Sequence, residues 1–159
     1  MRSWPPRSRR SWRSAVSSAF EVPSSREPLV CLDTTFLVDL VRARPEAEKK
    51  LLHFLENDER ITTTPVNAAE LYDGAFSTKS RRTEAERVRG LLEHLELLEL
   101  SLSVCEKYGR LTNELKAKGS PIGDLDTLVA STALVHRQIL LTRDKAHFEK
   151  VPGLVVESW

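Results

Sequence analysis

The sequence predicts an α/β domain in which a mostly parallel central sheet is flanked by helices. Short apolar or β-branched runs alternate with stretches of helical spacing, the pattern of strand–helix units that builds such a sheet. Acidic residues stand at the ends of those runs or early in the helices that follow, and open α/β sheets carry their chemistry at that edge. A chain of 159 residues suffices for one domain with a sizeable core.

Residues 1–28 stand apart. They are rich in Arg, Ser and Pro without an apolar period, so they read as a disordered extension or an over-called start, and the domain is read over residues 29–159. Val30-Cys31-Leu32 is a buried strand that delivers Asp33 to its carboxyl end. Thr34 or Thr35, or Asp33 itself, caps the next helix, with Phe36, Leu37, Leu40 and Val41 inward and Asp39 exposed. Pro45 punctuates that run, and Leu51, Leu52 and Leu55 mark the inner face of a second helix. Ile61-Thr62-Thr63-Thr64 is β-branched and short, a strand; Pro65 opens the helix carrying Glu70. Ala68, Ala69, Gly74 and Ala75 would let that helix approach its neighbours closely.

A polar, basic loop over residues 77–82 leads to a helix over 83–94, with Val88, Leu91, Leu92 and Leu95 inside, and then to a strand over 97–100. Ser101 or Ser103 caps a helix whose Val104, Tyr108, Leu111 and Leu115 recur at core spacing, and Gly119 stops it. The next helix follows Gly123 and presents Leu125, Leu128, Val129 and Thr132 on one face. A buried strand over 138–142 ends at Arg143-Asp144. A short helical turn with Ala146, His147 and Phe148, a Pro152-Gly153 turn and a strand over 154–157 complete the order.

Hydrophobic and charged fractions of 40% and 30% are those of a soluble globular protein, and no apolar run is long enough to span a membrane. Two cysteines, Cys31 and Cys105, make no disulfide framework, and Cys31 lies in the buried strand; a reduced, cytoplasmic setting follows. Net charge is +1, but residues 1–28 hold six Arg and two Glu, or +4, leaving 18 basic and 21 acidic residues, or −3, in the remainder. Bulk charge therefore does not advertise nucleic-acid binding by the domain, which would have to rest on local patches or bound metal.

Four acids share a placement: Asp33, Glu70, Asp126 and Asp144 each sit at a strand end or early in a helix, so a parallel sheet can bring them to one edge. Taken singly, each also reads as an ordinary helix-start acid that complements the helix dipole. Clustered carboxylates repel unless a cation compensates them. Oxygen-only ligands favour Mg²⁺ or Mn²⁺, and no Cys/His spacing suggests zinc.

Leu32-Asp33-Thr34-Thr35-Phe36-Leu37, Asn67-Ala68-Ala69-Glu70-Leu71-Tyr72-Asp73-Gly74-Ala75 and Pro121-Ile122-Gly123-Asp124-Leu125-Asp126-Thr127-Leu128-Val129-Ala130, followed in register by Leu141-Thr142-Arg143-Asp144, resemble the PIN-domain ribonucleases of the VapC toxin type. The resemblance covers residues 29–159 and implies a PIN-like three-layer α/β/α fold. It also implies a Mg²⁺- or Mn²⁺-dependent RNA endonuclease, usually a homodimer, neutralised by a cognate VapB-like antitoxin. By the same resemblance Asp33, Glu70 and Asp126 match the metal-coordinating acids, and Asp144 the more variable fourth. Thr34 or Thr35 matches a polar position that orients a metal-bound water, and Asp124 stands behind the acids at best. Arg143, Lys145 and His147 are candidates for substrate phosphate or plain surface charges. The extension departs from the family's compact pattern.

Two other classes compete. A haloacid-dehalogenase-like phosphotransferase would want a second Asp where Thr35 stands, and a phospho-receiver would want paired acids near the first strand; there is no Gly-rich phosphate loop either. The other rival is a catalytically inactive PIN-like module that only binds RNA or protein. It has no need of four acids.

Overall fold

A computed structural model describes residues 29–57 and 59–159; the extension assigned to residues 1–28 lies outside them. Five strands form one parallel sheet: β1 (Leu29–Leu32), β2 (Arg60–Thr63), β3 (Glu96–Leu97), β4 (Ile139–Leu141) and β5 (Val156–Glu157). The helices are α1 (Thr34–Val41), α2 (Pro45–Glu56), α3 (Pro65–Phe76), α4 (Arg81–Leu92), α5 (Leu102–Ala117), α6 (Asp124–Val135) and α7 (Lys145–Phe148). The strand order is β3-β2-β1-β4-β5. The chain thus steps outward from β1 to β3 and returns to the other side of β1 for β4 and β5. That reversal leaves a crevice outside the carboxyl ends of β1 and β4. Leu32 pairs with Leu141 there, so Asp33 and Thr142 emerge side by side.

Alternation along the strands sends side chains to opposite faces. Val30, Leu32 and Leu141 join Phe36, Leu51, Phe54 and Leu71 on one side, whereas Cys31 and Leu140 join Leu111, Val129 and Phe148 on the other. Each fully buried leucine is worth about 2 kcal/mol of transfer free energy, and the two clusters make the three-layer α/β/α sandwich that the alternation predicts. Burial, with the charge of Asp33 nearby, pushes the Cys31 thiol up to about 12, so it stays protonated and serves as a small apolar filler. No helix of the described residues is long and apolar enough to cross a membrane.

Several local expectations are corrected. Thr64 is not the last residue of β2 but the cap of α3, its hydroxyl accepting from Asn67 N at 3.1 Å. The inner face of α2 is Ala47, Leu51 and Phe54, with Leu52 and Leu55 only half-buried. Of the small residues on α3, Ala68 and Ala75 are buried, but Ala69 and Gly74 face outward, and a Cβ on Gly74 would meet nothing. β3 is a two-residue edge strand, and Leu97 and Leu100 are exposed. Leu125 is also exposed, because α6 packs on α5, α3 and β4 through Thr127, Val129, Ala130 and Ala133 instead. Tyr108 is half-buried, not core. Ser101 caps α5, and Gly119 ends it at φ +64, where a side chain would be strained.

Candidate active site

Asp33 leaves β1 with its N–H donating to Leu141 O at 3.0 Å, and it is itself the cap of α1. Its Oδ2 accepts from Thr35 Oγ1 and from Thr142 Oγ1, both at 2.8 Å, and from Thr35 N at 3.4 Å. Only 6% of the residue is exposed. All three bonds fall on Oδ2, so the carboxylate is fixed in orientation while Oδ1 accepts none of them.

Glu70 lies in the second turn of α3. Its Oε2 accepts a short hydrogen bond from Thr34 Oγ1, which also lies 3.2 Å from Asn67 Oδ1. One hydroxyl proton thus faces two acceptors. Asn67 is fully buried, its Nδ2 donating to Leu32 O at 3.0 Å and Thr63 Oγ1 at 3.2 Å. It ties the ends of β1 and β2 to the helix that bears Glu70. Thr34 and Thr35, interchangeable in the sequence, have divided duties: Thr34 serves Glu70, and Thr35 serves Asp33.

Asp126 sits in the first turn of α6, with Oδ2 3.1 Å from His147 Nε2 on α7. Asp144 is exposed at the start of α7, its N–H donating to Thr142 Oγ1 at 3.1 Å. Asp124 turns to Tyr108, whose hydroxyl donates to it at 3.4 Å. Asp73, three residues after Glu70, is exposed.

Electrostatics joins the acids. Glu70 is held above the usual carboxylate range by burial, against the Thr34 hydrogen bond, with the charges of Asp33 and Asp126 adding to the rise. Asp126 is raised by burial too, offset by His147 and reinforced by Asp33 and Asp144. Asp33 therefore acts on both Glu70 and Asp126. Among the described residues, no three Asp, Glu, His or Cys side chains converge closely enough to chelate an ion as they stand. The donors nonetheless suit a hard divalent cation, since the four carboxylates offer only oxygen and a cation would offset the burial and neighbouring charge that raise Glu70 and Asp126.

Gly123 precedes α6 at an ordinary φ of −59, so its need for glycine is steric: a Cβ there would lie 3.3 Å from Asp126 Oδ2. Gly123→Ala is expected to leave the unfolding free energy within about 1 kcal/mol of the parent while weakening Mn²⁺ binding, because the methyl displaces the Asp126 carboxylate. Calorimetric titration with Mn²⁺ beside urea unfolding checks this, and unchanged Mn²⁺ affinity would refute it.

Arg143 and Asp39 correct the sequence reading most. Asp39, expected on the surface, is buried, and its Oδ2 takes the Arg143 guanidinium as an ion-pair partner. The guanidinium also lies over the Trp159 ring, 5.3 Å from its centroid, and that ring meets Phe36 edge-on at 4.7 Å. A carboxylate so buried would cost about 3–5 kcal/mol if left unpaired. Arg143 keeps an exposed flank, but its charge is already engaged. Asn67, Asp39 and Trp159 were not picked out by sequence reasoning. For Asn67 a signal existed: one amide among Val66, Ala68 and Ala69. For the other two there was none, since their partners lie far along the chain.

The family model described as "PIN domain" matches residues 30–154. Ribonuclease VapC2 of Rickettsia felis is 30% identical over 128 residues, which is 80% of this chain and 96% of that protein. The tRNA(fMet)-specific endonuclease VapC of Salmonella typhimurium is 27% identical over the same shares. Among solved structures, VapBC2 from Rickettsia felis bound to a DNA fragment from their promoter superposes with a TM-score of 0.77 at 28% identity, covering 83% of this chain and 99% of that one. The switch-point acids, the parallel sheet and these matches agree: the chain belongs to the PIN-domain family, and within it to the VapC type.

Proposed function

We propose that the chain is a Mg²⁺- or Mn²⁺-dependent endoribonuclease, the toxin of a VapBC-type pair, hydrolysing RNA phosphodiesters. The observation that carries this reading is the half-buried pair Glu70 and Asp126, each raised by burial and by the charge of Asp33 at the sheet's switch point, an excess of negative charge that a divalent ion would relieve. Asp33, Glu70 and Asp126 would hold the ion, with Asp144 as the fourth acid. When bound, such an ion polarises a phosphodiester and lowers the pKa of a water. The chain's own residues do the rest. Thr35 and Thr142 fix Asp33, Thr34 fixes Glu70, and His147 steadies Asp126. Exposed Lys79, Arg81 and Arg82, at the junction of α3 and α4, are the proposed phosphate contacts.

A VapB-like antitoxin and a second copy of this chain are the expected partners. Tyr72 and Phe76 stack at 6.1 Å on α3, and Phe76, 57% exposed, suits a seam between copies. The substrate is RNA. Because the Salmonella relative is named for tRNA(fMet), transfer RNA belongs among the first substrates tried, beside ribosomal and messenger RNA.

Cleavage of these RNAs by the purified protein with Mg²⁺, Mn²⁺ or EDTA, alongside Asp33→Asn, tests the proposal. The expected result is cutting that requires the metal and falls about 10³-fold in the variant. Cutting that survives both EDTA and the substitution would point to a contaminant. No cutting and no calorimetric metal binding would restore the binding-module reading.

A further inference from the structure

The turn Thr142-Arg143-Asp144 is gripped by α1 at two points one helical turn apart. The Arg143 N–H donates to Thr35 Oγ1 at 3.1 Å, and its guanidinium reaches the buried Asp39, four residues on along the same helix face. Trp159, which follows β5, closes the arrangement from outside: it covers the guanidinium and rests edge-on against Phe36 of α1. On either side of Arg143 stand two residues that meet the acid cluster. Thr142 donates to Asp33 Oδ2 at 2.8 Å, and the charge of Asp144 acts on Asp126.

We propose that Trp159, Arg143 and Asp39 form a latch of positioning residues that holds this turn against α1 and so sets Thr142 and Asp144 for the reaction. The proposal rests on the nuclease reading for its kinetic consequence, but its structural content is independent of that reading. The β4–α7 connection is short, and Arg143 and Asp144 are exposed. Two hydroxyl-accepted N–H groups alone would leave the turn free to breathe, since exposed polar bonds are in competition with water. A guanidinium clamped between a buried carboxylate and an indole face removes that freedom, because Arg is planar and presents charge at its edge and a flat face for stacking. Asp39 supplies the charge that cannot leave, and Trp159 lies against one face of a guanidinium that otherwise stays open to solvent. The exposed flank of Arg143 then plays a minor part in substrate binding.

The experiment compares the parent, Trp159→Ala and Trp159→Phe, each as the full chain, by RNA cleavage and by amide hydrogen exchange. Trp159→Ala is expected to accelerate exchange at Arg143 and Asp144 by about tenfold or more, with the amides of α5 unchanged, because local opening becomes easier. It is expected to lower kcat about tenfold at constant KM, as removal of positioning does, and Trp159→Phe, which keeps an aromatic face, is expected to restore both readings. A rise in KM at constant kcat would make Arg143 a substrate contact and overturn the latch. Unchanged exchange at Arg143 and Asp144 would overturn it as well. If Trp159→Ala does not fold, Arg143→Lys keeps the charge for Asp39 while losing the planar stack, and the same two readings decide. A parent that cuts no RNA yet shows the exchange response would refute the nuclease reading and leave the latch standing.

Discussion

Asp126→Asn is expected to move activity and stability in opposite directions. Cleavage should fall about 10³-fold, since the variant loses one of the charges proposed to hold the ion that stabilises the transition state. The metal-free protein should become more stable near neutral pH. Burial first, and then the charges of Asp33 and Asp144, hold the Asp126 carboxyl above its ordinary range against the help of His147. The unfolded chain therefore gives up this proton at a lower pH than the folded one. Ionisation favours unfolding, and its penalty is full above the folded value and fades as pH falls through it toward the unfolded value. In EDTA, urea unfolding at about pH 7.5 and about pH 4, near the unfolded aspartate value, should show a gap in favour of the variant that narrows at the lower pH. Added Mg²⁺ should reverse the order, because an ion bound only by the folded state stabilises the parent. A variant less stable than the parent in EDTA at neutral pH would sink the electrostatic account.

Asn67→Ala is expected to cost about 2 kcal/mol of stability. The carboxamide is fully buried and uses donor and acceptor alike, spanning Leu32, Thr63 and Thr34. Alanine leaves the Thr63 hydroxyl one partner short and a void where the amide stood. It also releases Thr34 from its second acceptor, leaving Glu70 to hold that hydroxyl alone. Equilibrium urea unfolding checks the figure. A loss below about 0.5 kcal/mol would mean that the ends of β1 and β2 are secured by the Thr63 Oγ1 bond to Leu32 O at 2.8 Å without help from Asn67.

Much of this architecture is legible in the sequence. The unbroken apolar runs at Val30-Cys31-Leu32 and Ile139-Leu140-Leu141 announced strands buried on both faces, and Pro65 and Gly119 marked helix ends by their backbone preferences alone. The positions of Asp33, Glu70 and Asp126 followed from topology, because parallel strands must end at one edge. Asp39 was not legible. A lone carboxylate on an amphipathic helix reads as surface, and what permits its burial is an arginine 104 positions away. Trp159 failed for the same reason: its partners, Phe36 and Arg143, come from two other segments. Tyr108 failed differently. Its spacing suited the core, but the phenol hydroxyl has a polar partner in Asp124 and the ring stays half-exposed.

Helix α3 contributes Val66 to the cluster on one side of the sheet and Leu71 and Ala75 to the cluster on the other. It is a rivet through both halves, and Glu70 is its head. Neither half can loosen without turning that rivet, so the acidic centre cannot persist in a half-melted molecule. Proteolytic nicking or heat that frees one layer should silence the site at the same point at which it opens the layer, with no active remnant in between.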